Sequence, residues 1–282
     1  MKLKAYKTLF ATTLAPFYSD AQEVESFFYL IAEKWHNISR VDLVLEPEFE
    51  IPSLYIEKWE KITEALKTQK PIQYLLGSTW FFGLEFLVTP ATLIPRPETE
   101  ELVDLILQEQ TEFKNPKILD IGTGSGCIAI SLAKNKPQAQ VSALDFSAEA
   151  LVTAKENAVL NNVDVTFILQ DILQTDALET FDVIVSNPPY VRDLEKAEIQ
   201  KNVLNFEPHS ALFVPNNNAL LFYKKIAQLA IKALSSNGFL YFEINQYLGA
   251  ETKEMVEQMG FKNVKISKDV YGNNRMMRAN KN

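Results

Sequence analysis

Lys117-Ile118-Leu119-Asp120-Ile121-Gly122-Thr123-Gly124-Ser125-Gly126 runs from an apolar, β-favouring segment into a glycine-rich turn, and a helical pattern follows over residues 125–134. A strand, a glycine turn and a helix in that order open an α/β sheet of the kind that holds a ligand at the carboxyl ends of its strands. Glycines at alternate positions let the backbone turn tightly and approach a ligand with no Cβ in the way. The spacing departs from G-x-G-x-x-G, because Gly126 comes one residue early and Cys127 stands where that pattern has its third glycine. A dinucleotide reading is weakened by this. D-x-G-x-G-x-G is the form expected for S-adenosylmethionine, whose amino-acid end and sulfonium need close backbone and a nearby carboxylate in place of a pyrophosphate pocket.

The alternation continues downstream. Residues 140–144 read as a strand and 147–161 as a helix, 165–169 and 181–186 as strands, 219–234 as a helix and 238–244 as a strand. Such a series specifies a mostly parallel sheet covered on both faces. Residues 264–267 and 275–279, joined through Tyr271-Gly272-Asn273-Asn274, read as a final hairpin. Upstream of about residue 75 the texture is helical. Ser19-Asp20-Ala21-Gln22 offers an N-cap with a capping-box glutamine, and Ser53 after Pro52 offers a second cap. Gly83 between two apolar runs in Trp80-Phe81-Phe82-Gly83-Leu84-Glu85-Phe86 predicts a hairpin that connects the helical region to the sheet.

Asn187-Pro188-Pro189-Tyr190 stops the 181–186 strand at a rigid corner. Neither proline has an N–H, and the residue before each is pushed toward extended backbone, so the Asn187 side chain and the Pro188 carbonyl can present acceptors to a planar NH2 group. A structural turn is the plainer reading of the two prolines alone. Asp145 ends the second strand about 20 residues beyond the glycine loop, where a carboxylate suits ribose hydroxyls or, equally, a cap for the next helix. Asp171 follows the third strand, where an adenine-edge contact, a helix cap or plain exposure all fit. Gly122, Asp145, Asp171 and Asn187 therefore fall on one edge of the sheet.

Composition narrows the function classes. A formal net charge of −8 argues against a broadly basic nucleic-acid surface. The single cysteine, Cys127, sits in an apolar run that suits a small buried hydrophobe better than a nucleophile, and the two histidines, His36 and His209, lie too far apart in sequence to suggest a metal site. No secretory signal or membrane-length apolar run is present, which leads to the expectation of a soluble, cytoplasmic protein.

Taken with Pro71-Ile72-Gln73-Tyr74, Leu93-Ile94-Pro95-Arg96-Pro97-Glu98-Thr99-Glu100, Phe206-Glu207-Pro208 and Gly272-Asn273-Asn274-Arg275, these motifs resemble the protein-(glutamine-N5) methyltransferases that modify peptide chain release factors. The resemblance implies a Rossmann-like methyltransferase domain over residues 93–282, with a mostly parallel sheet ending in an antiparallel hairpin. It also implies a helical substrate-recognition domain over 1–75 and a hairpin connector over 76–92. The implied cofactor is S-adenosyl-L-methionine, held by Gly122, Thr123, Gly124, Ser125, Gly126, Asp145, Asp171, Ile172 and Asn187. Ile172 stands where some family members carry an aromatic against the adenine, so apolar contact remains and stacking does not. Asn187, Pro188, Pro189 and Tyr190 would hold the substrate amide, with Asn187, Pro188 and Tyr190 as the catalytic set. The implied partner is a release factor, with a monomeric enzyme, no metal, no membrane and no stable nucleic-acid binding. Methylation of exocyclic amines on DNA or RNA bases, and a non-catalytic cofactor-binding scaffold, are the competing readings.

Overall fold

The computed structural model describes residues 1–110 and 112–281, which fall into two compact units. The first comprises Met1–Gly77 together with Gln200–Phe206. Its helices are α1 (Leu3–Leu14), α2 (Ala21–His36), α3 (Arg40–Leu45), α4 (Ser53–Leu66) and α5 (Ile72–Leu76). The apolar faces of these helices close on Phe10, Phe28, Ile31, Trp59 and Leu66, all buried, with the Phe10 and Trp59 rings edge-to-face at 6.0 Å. Two caps differ from expectation. Asp20, and not Ser19, caps α2 by accepting from the Gln22 N–H at 2.8 Å, because its carboxylate stands one residue closer to the free N–H groups of the first turn. Pro52 occupies the flanking position of α4, so Ser53 falls inside the first turn and makes no side-chain cap.

His36 ends α2 against this core. Trp59 Nε1–H donates to His36 Nε2 at 2.9 Å, which requires that nitrogen to keep its lone pair, and burial lowers the imidazole's affinity for a proton. The unfolded chain therefore takes up a proton at His36 more readily than the folded one. Stability from this site is present above the ordinary histidine pKa of about 6.5 and is lost as pH falls below it. We expect the melting temperature of the wild type to fall between pH 7 and pH 5.5 more steeply than that of His36→Gln, which keeps an acceptor and does not titrate. Parallel melting curves across that range check this, and identical slopes would remove His36 as the cause.

The second unit begins at Ser78. Strands β1 (Ser78–Phe81) and β2 (Leu84–Leu87) form the expected hairpin, turned by Phe82 and Gly83 at φ 50° and 73°. Two strands alone are marginal. This hairpin is held through Leu87 to the side chain of Asn157 and belongs to the second unit. Helix α6 (Pro97–Glu109) opens on Pro97 with Glu98 and Glu100 in its first turn. Then follow β3 (Lys117–Ile121), α7 (Cys127–Asn135), β4 (Gln140–Asp145), α8 (Ala148–Leu160), β5 (Thr166–Leu169), β6 (Phe181–Ser186) and the short β7 (Val191–Arg192). After α9 (Lys201–Phe206), which belongs to the first unit, come β8 (Phe213–Val214), α10 (Leu221–Ala233), β9 (Leu234–Glu243), α11 (Gly249–Gln258), β10 (Lys262–Lys268) and β11 (Asn274–Asn280). Helix α7 starts two residues later than the sequence pattern suggests, because Gly126 at φ 83° is left-handed and cannot continue a helix backward.

Seven strands among the described residues form the main sheet in the order β10-β11-β9-β6-β3-β4-β5. The pairs from β9 to β5 are parallel, and β11 and β10 are antiparallel. Alternate residues of one strand serve opposite faces. Leu119 and Ile121 join the core that contains α10 residues Tyr223, Ile226 and Ala230, whereas Ile118 joins the core with Leu102, Ile106, Ile130 and hairpin residues Phe81 and Phe86. The chain starts the sheet at β3, works outward through β4 and β5, and then returns to place β6 on the other side of β3. The ends of β3 and β6 thereby flank the switch point at which doubly wound sheets bind their ligands.

Candidate active site

A cavity of about 560 Å³ opens at that switch point, within the usual size of a small-molecule site. Its wall includes the glycine loop after β3, Asp145 after β4, Asp171 and Ile172 after β5, and Asn187, Pro188 and Pro189 after β6. The Gly122 and Thr123 N–H groups bond to the Leu144 carbonyl at 2.8 and 3.1 Å, which fixes the loop beside β4. Gly122 and Gly124 both have positive φ, and a Cβ on either would meet nothing within 4 Å, so their open faces leave a cradle of bare backbone. Asp120 is fully buried beneath the loop and accepts from the Thr123 hydroxyl at 2.6 Å, and burial pushes its carboxyl up to about 7.

Asp145 does two things at once. Its Oδ2 accepts from Gly124 N–H at 2.8 Å and its Oδ1 from Ser147 N–H at 2.9 Å, with burial pushing the carboxyl above its ordinary range. The cap of α8 is Ser147, whose hydroxyl accepts from Ala150 N–H at 3.1 Å, so the helix-cap reading of Asp145 is replaced by one in which its carboxylate joins the loop to the strand end. Asp171 is exposed and accepts from Leu173 N–H at 2.8 Å, capping a short turn, while the buried Ile172 presents apolar surface to the cavity. Cys127, half-buried at the cavity wall, has its thiol pushed up to about 12 by burial and is no nucleophile at neutral pH.

Tyr190, expected to flank the substrate amide, has its hydroxyl turned to another partner. It does not line the cavity; its hydroxyl donates to Glu243 Oε1 at 2.9 Å, and burial next to that carboxylate holds the phenol well above its ordinary pKa. The reason is Glu243, a buried carboxylate at the end of β9 that needs donors to remain there. Its Oε2 accepts from the Thr99 hydroxyl at 2.6 Å, and Thr99 Oγ in turn lies 3.3 Å from Asn187 Nδ2. Thr99 lines the cavity and Glu243 does not.

Three further groups escaped the reading of the sequence. Glu207, with its side chain 1% exposed, accepts from Arg96 Nη2 at 2.5 Å and from Ile94 N–H at 3.1 Å, and so ties the I-P-R-P segment to Pro208 where both line the cavity. Both residues stand in motifs quoted above, which was the available signal. Asn157 on α8 gives Nδ2 hydrogens to the carbonyls of Leu87 and Ser125, at 3.0 and 2.9 Å, and accepts from Leu87 N–H at 2.6 Å. Glu243 had no signal beyond a carboxylate at the end of an apolar run. No cluster of three or more histidine, cysteine, aspartate or glutamate residues suited to a metal exists among the described residues, and no helix there is long and apolar enough to cross a membrane.

Residues 99–209 match the family described as the methyltransferase small domain, and residues 11–77 match the PrmC N-terminal domain. A release factor glutamine methyltransferase of Flavobacterium psychrophilum is 59% identical over 99% of both chains. One from Bacteroides thetaiotaomicron is 43% identical over 92% of this chain and 94% of its own. A solved methyltransferase from Pyrococcus furiosus, 20% identical, superposes with a TM-score of 0.52 over 80% of this chain and 98% of that one, a likeness of fold alone. With near-complete coverage at such identity, a matched N-terminal domain and a methyltransferase sheet carrying the glycine loop and N-P-P-Y corner, the chain belongs to the release factor glutamine methyltransferase family.

Proposed function

We propose that the protein transfers a methyl group from S-adenosylmethionine to the side-chain amide nitrogen of the glutamine in the GGQ motif of peptide chain release factors. The observation that carries this is one cavity walled by both a bare-backbone glycine cradle beside a carboxylate and an Asn-Pro-Pro corner. The cradle fits the cofactor. Gly122 and Gly124 leave room for its amino-acid end, Asp145 retains acceptor capacity for ribose hydroxyls, and Ile172 offers an apolar face to the adenine. When bound, S-adenosylmethionine supplies an electrophilic methyl on a sulfonium leaving group.

The protein's own residues act on the acceptor. A glutamine amide nitrogen is a poor nucleophile because its lone pair is delocalised into the carbonyl. Asn187 Oδ1 and the Pro188 carbonyl can each accept one amide hydrogen, which orients the nitrogen for in-line displacement and stabilises positive charge as it develops there. Removal of the proton can follow transfer, so no side-chain base is demanded beside the corner. The helical unit at Met1–Gly77 lies outside this chemistry and is assigned to recognition of the protein substrate. The reading implies a monomeric enzyme in the cytoplasm, where translation ends.

Incubating the full chain with labelled S-adenosylmethionine and, separately, a release factor, RNA and DNA tests this. Label is expected on the glutamine of the release factor alone. Label on a nucleic acid would move the substrate to an exocyclic base amine, and binding of the cofactor without transfer to any acceptor would favour a scaffold.

A further inference from the structure

Buried carboxylates are costly, and Glu243 is kept out of the cavity yet within one hydroxyl of it. The register explains its location: Ser186 pairs with Phe242 in the parallel β6–β9 ladder, so Asn187 and Glu243 are the next residues on adjacent strands. Thr99, 2% exposed in the first turn of α6, stands between them. A hydroxyl has one proton to give. An ionised carboxylate can only accept, so the Thr99 proton at 2.6 Å must point to Glu243 Oε2, and toward Asn187 the hydroxyl has only lone pairs left. The group of Asn187 that faces Thr99 at 3.3 Å must then be the NH2, which leaves Oδ1 as the amide atom free to accept in the cavity.

We infer that Thr99 is a positioning residue whose hydroxyl, polarised by Glu243, fixes which end of the Asn187 amide meets the substrate. Were the amide reversed, an NH2 would confront the NH2 of the bound glutamine, and the corner would repel the group it is built to hold. Tyr190 and Arg275 complete the arrangement on the far side of the carboxylate. Tyr190 donates to Oε1 at 2.9 Å, and Arg275 Nη1 lies 3.5 Å from the Tyr190 hydroxyl with its Nε 3.2 Å from Asp269. Both donors and the nearby cation favour an ionised, acceptor-only Glu243, opposing the burial that pushes its pKa up. The inference rests on the proposed reaction for its catalytic consequence, but the direction of the Asn187 amide stands apart from it.

Two measurements on the full chain keep these separate. In methyl transfer to the release factor, Thr99→Val should lower kcat roughly 10–30-fold, within the range caused by misplacing a reacting contact, while the affinity for S-adenosylmethionine stays within about threefold. Thr99→Ser, which restores the hydroxyl, should recover the rate to within about threefold of wild type. The double variant Thr99→Val/Asn187→Ala should be no slower than Asn187→Ala, because Thr99 acts through Asn187. Additive losses in the double variant, or a Thr99→Ser enzyme as slow as Thr99→Val, would overturn the inference. Thr99→Ala replaces Thr99→Val if a melting curve shows the valine variant to be misfolded. Independently of any turnover, the Asn187 side-chain NH2 resonances should shift and exchange faster with water in Thr99→Val than in wild type. Unmoved resonances would overturn the assigned amide direction even if the enzyme were active, whereas shifted resonances with an inactive wild type would overturn the reaction and leave the amide direction supported.

Discussion

Asn187→Ala is expected to lower methyl transfer by roughly 10²–10³-fold while leaving the affinity for S-adenosylmethionine nearly intact, the scale on which one preorganised polar contact to a reacting group is lost. Asn187 directly follows β6 at the switch point, its following backbone is locked by two prolines, and its amide is tethered to Thr99 at 3.3 Å, so its remaining oxygen is held ready before a substrate arrives. Alanine removes that acceptor but leaves the Pro188 carbonyl, the glycine loop and Asp145 in place. The loss should therefore fall on kcat with saturating release factor and spare cofactor binding. Initial rates at saturation, beside a calorimetric titration of the cofactor, check both halves. Near-normal turnover at saturation would remove Asn187 from the reaction.

The second large effect concerns Asp145→Ala, expected to weaken S-adenosylmethionine binding by about 1.5–3 kcal/mol, roughly 10–150-fold in Kd. Two causes act together. The carboxylate would accept ribose hydroxyls, and it already accepts the Gly124 and Ser147 N–H groups that shape the loop and the strand end. The second cause costs some stability, because both backbone donors lose a partner, but Ser147 still caps α8. A melting temperature lowered by a few degrees with cofactor affinity unchanged would mean that the loop keeps its shape without Asp145 and that no ribose contact is made. Titration and melting of the same preparation separate the two outcomes.

What the sequence made legible follows from how local each signal is. Glycine spacing, strand-ending carboxylates and the Asn-Pro-Pro corner are read within ten residues, and the sheet brings them to one edge because they all lie at the carboxyl ends of its strands. The hairpin was equally local, since Gly83 sits between two apolar runs. Thr99 and Glu243 are 144 positions apart, and nothing in either neighbourhood announces the other. The partner of the Tyr190 hydroxyl is hidden from the sequence for the same reason. Its motif suggests a ring beside the substrate, and only the fold reveals that a buried carboxylate has claimed its hydroxyl. The caps at Asp20 and Pro52 show the smaller version of this. Neighbouring residues competed for one position, and the stronger acceptor or the stiffer backbone took it.

Asn157 gives the fold a constraint that can be stated as tolerance to substitution. Both of its Nδ2 hydrogens are committed to carbonyls, of Leu87 in the hairpin and Ser125 in the glycine loop, while Oδ1 takes the Leu87 N–H. Aspartate has the shape but no hydrogens to give, leucine has the volume but neither donor nor acceptor, and glutamine carries the same head group one methylene too far. No other natural side chain offers that head group at that reach. The hairpin and the loop are therefore not free to drift or be redesigned separately, because a change in the backbone of either must still suit a single asparagine whose two donors bridge them.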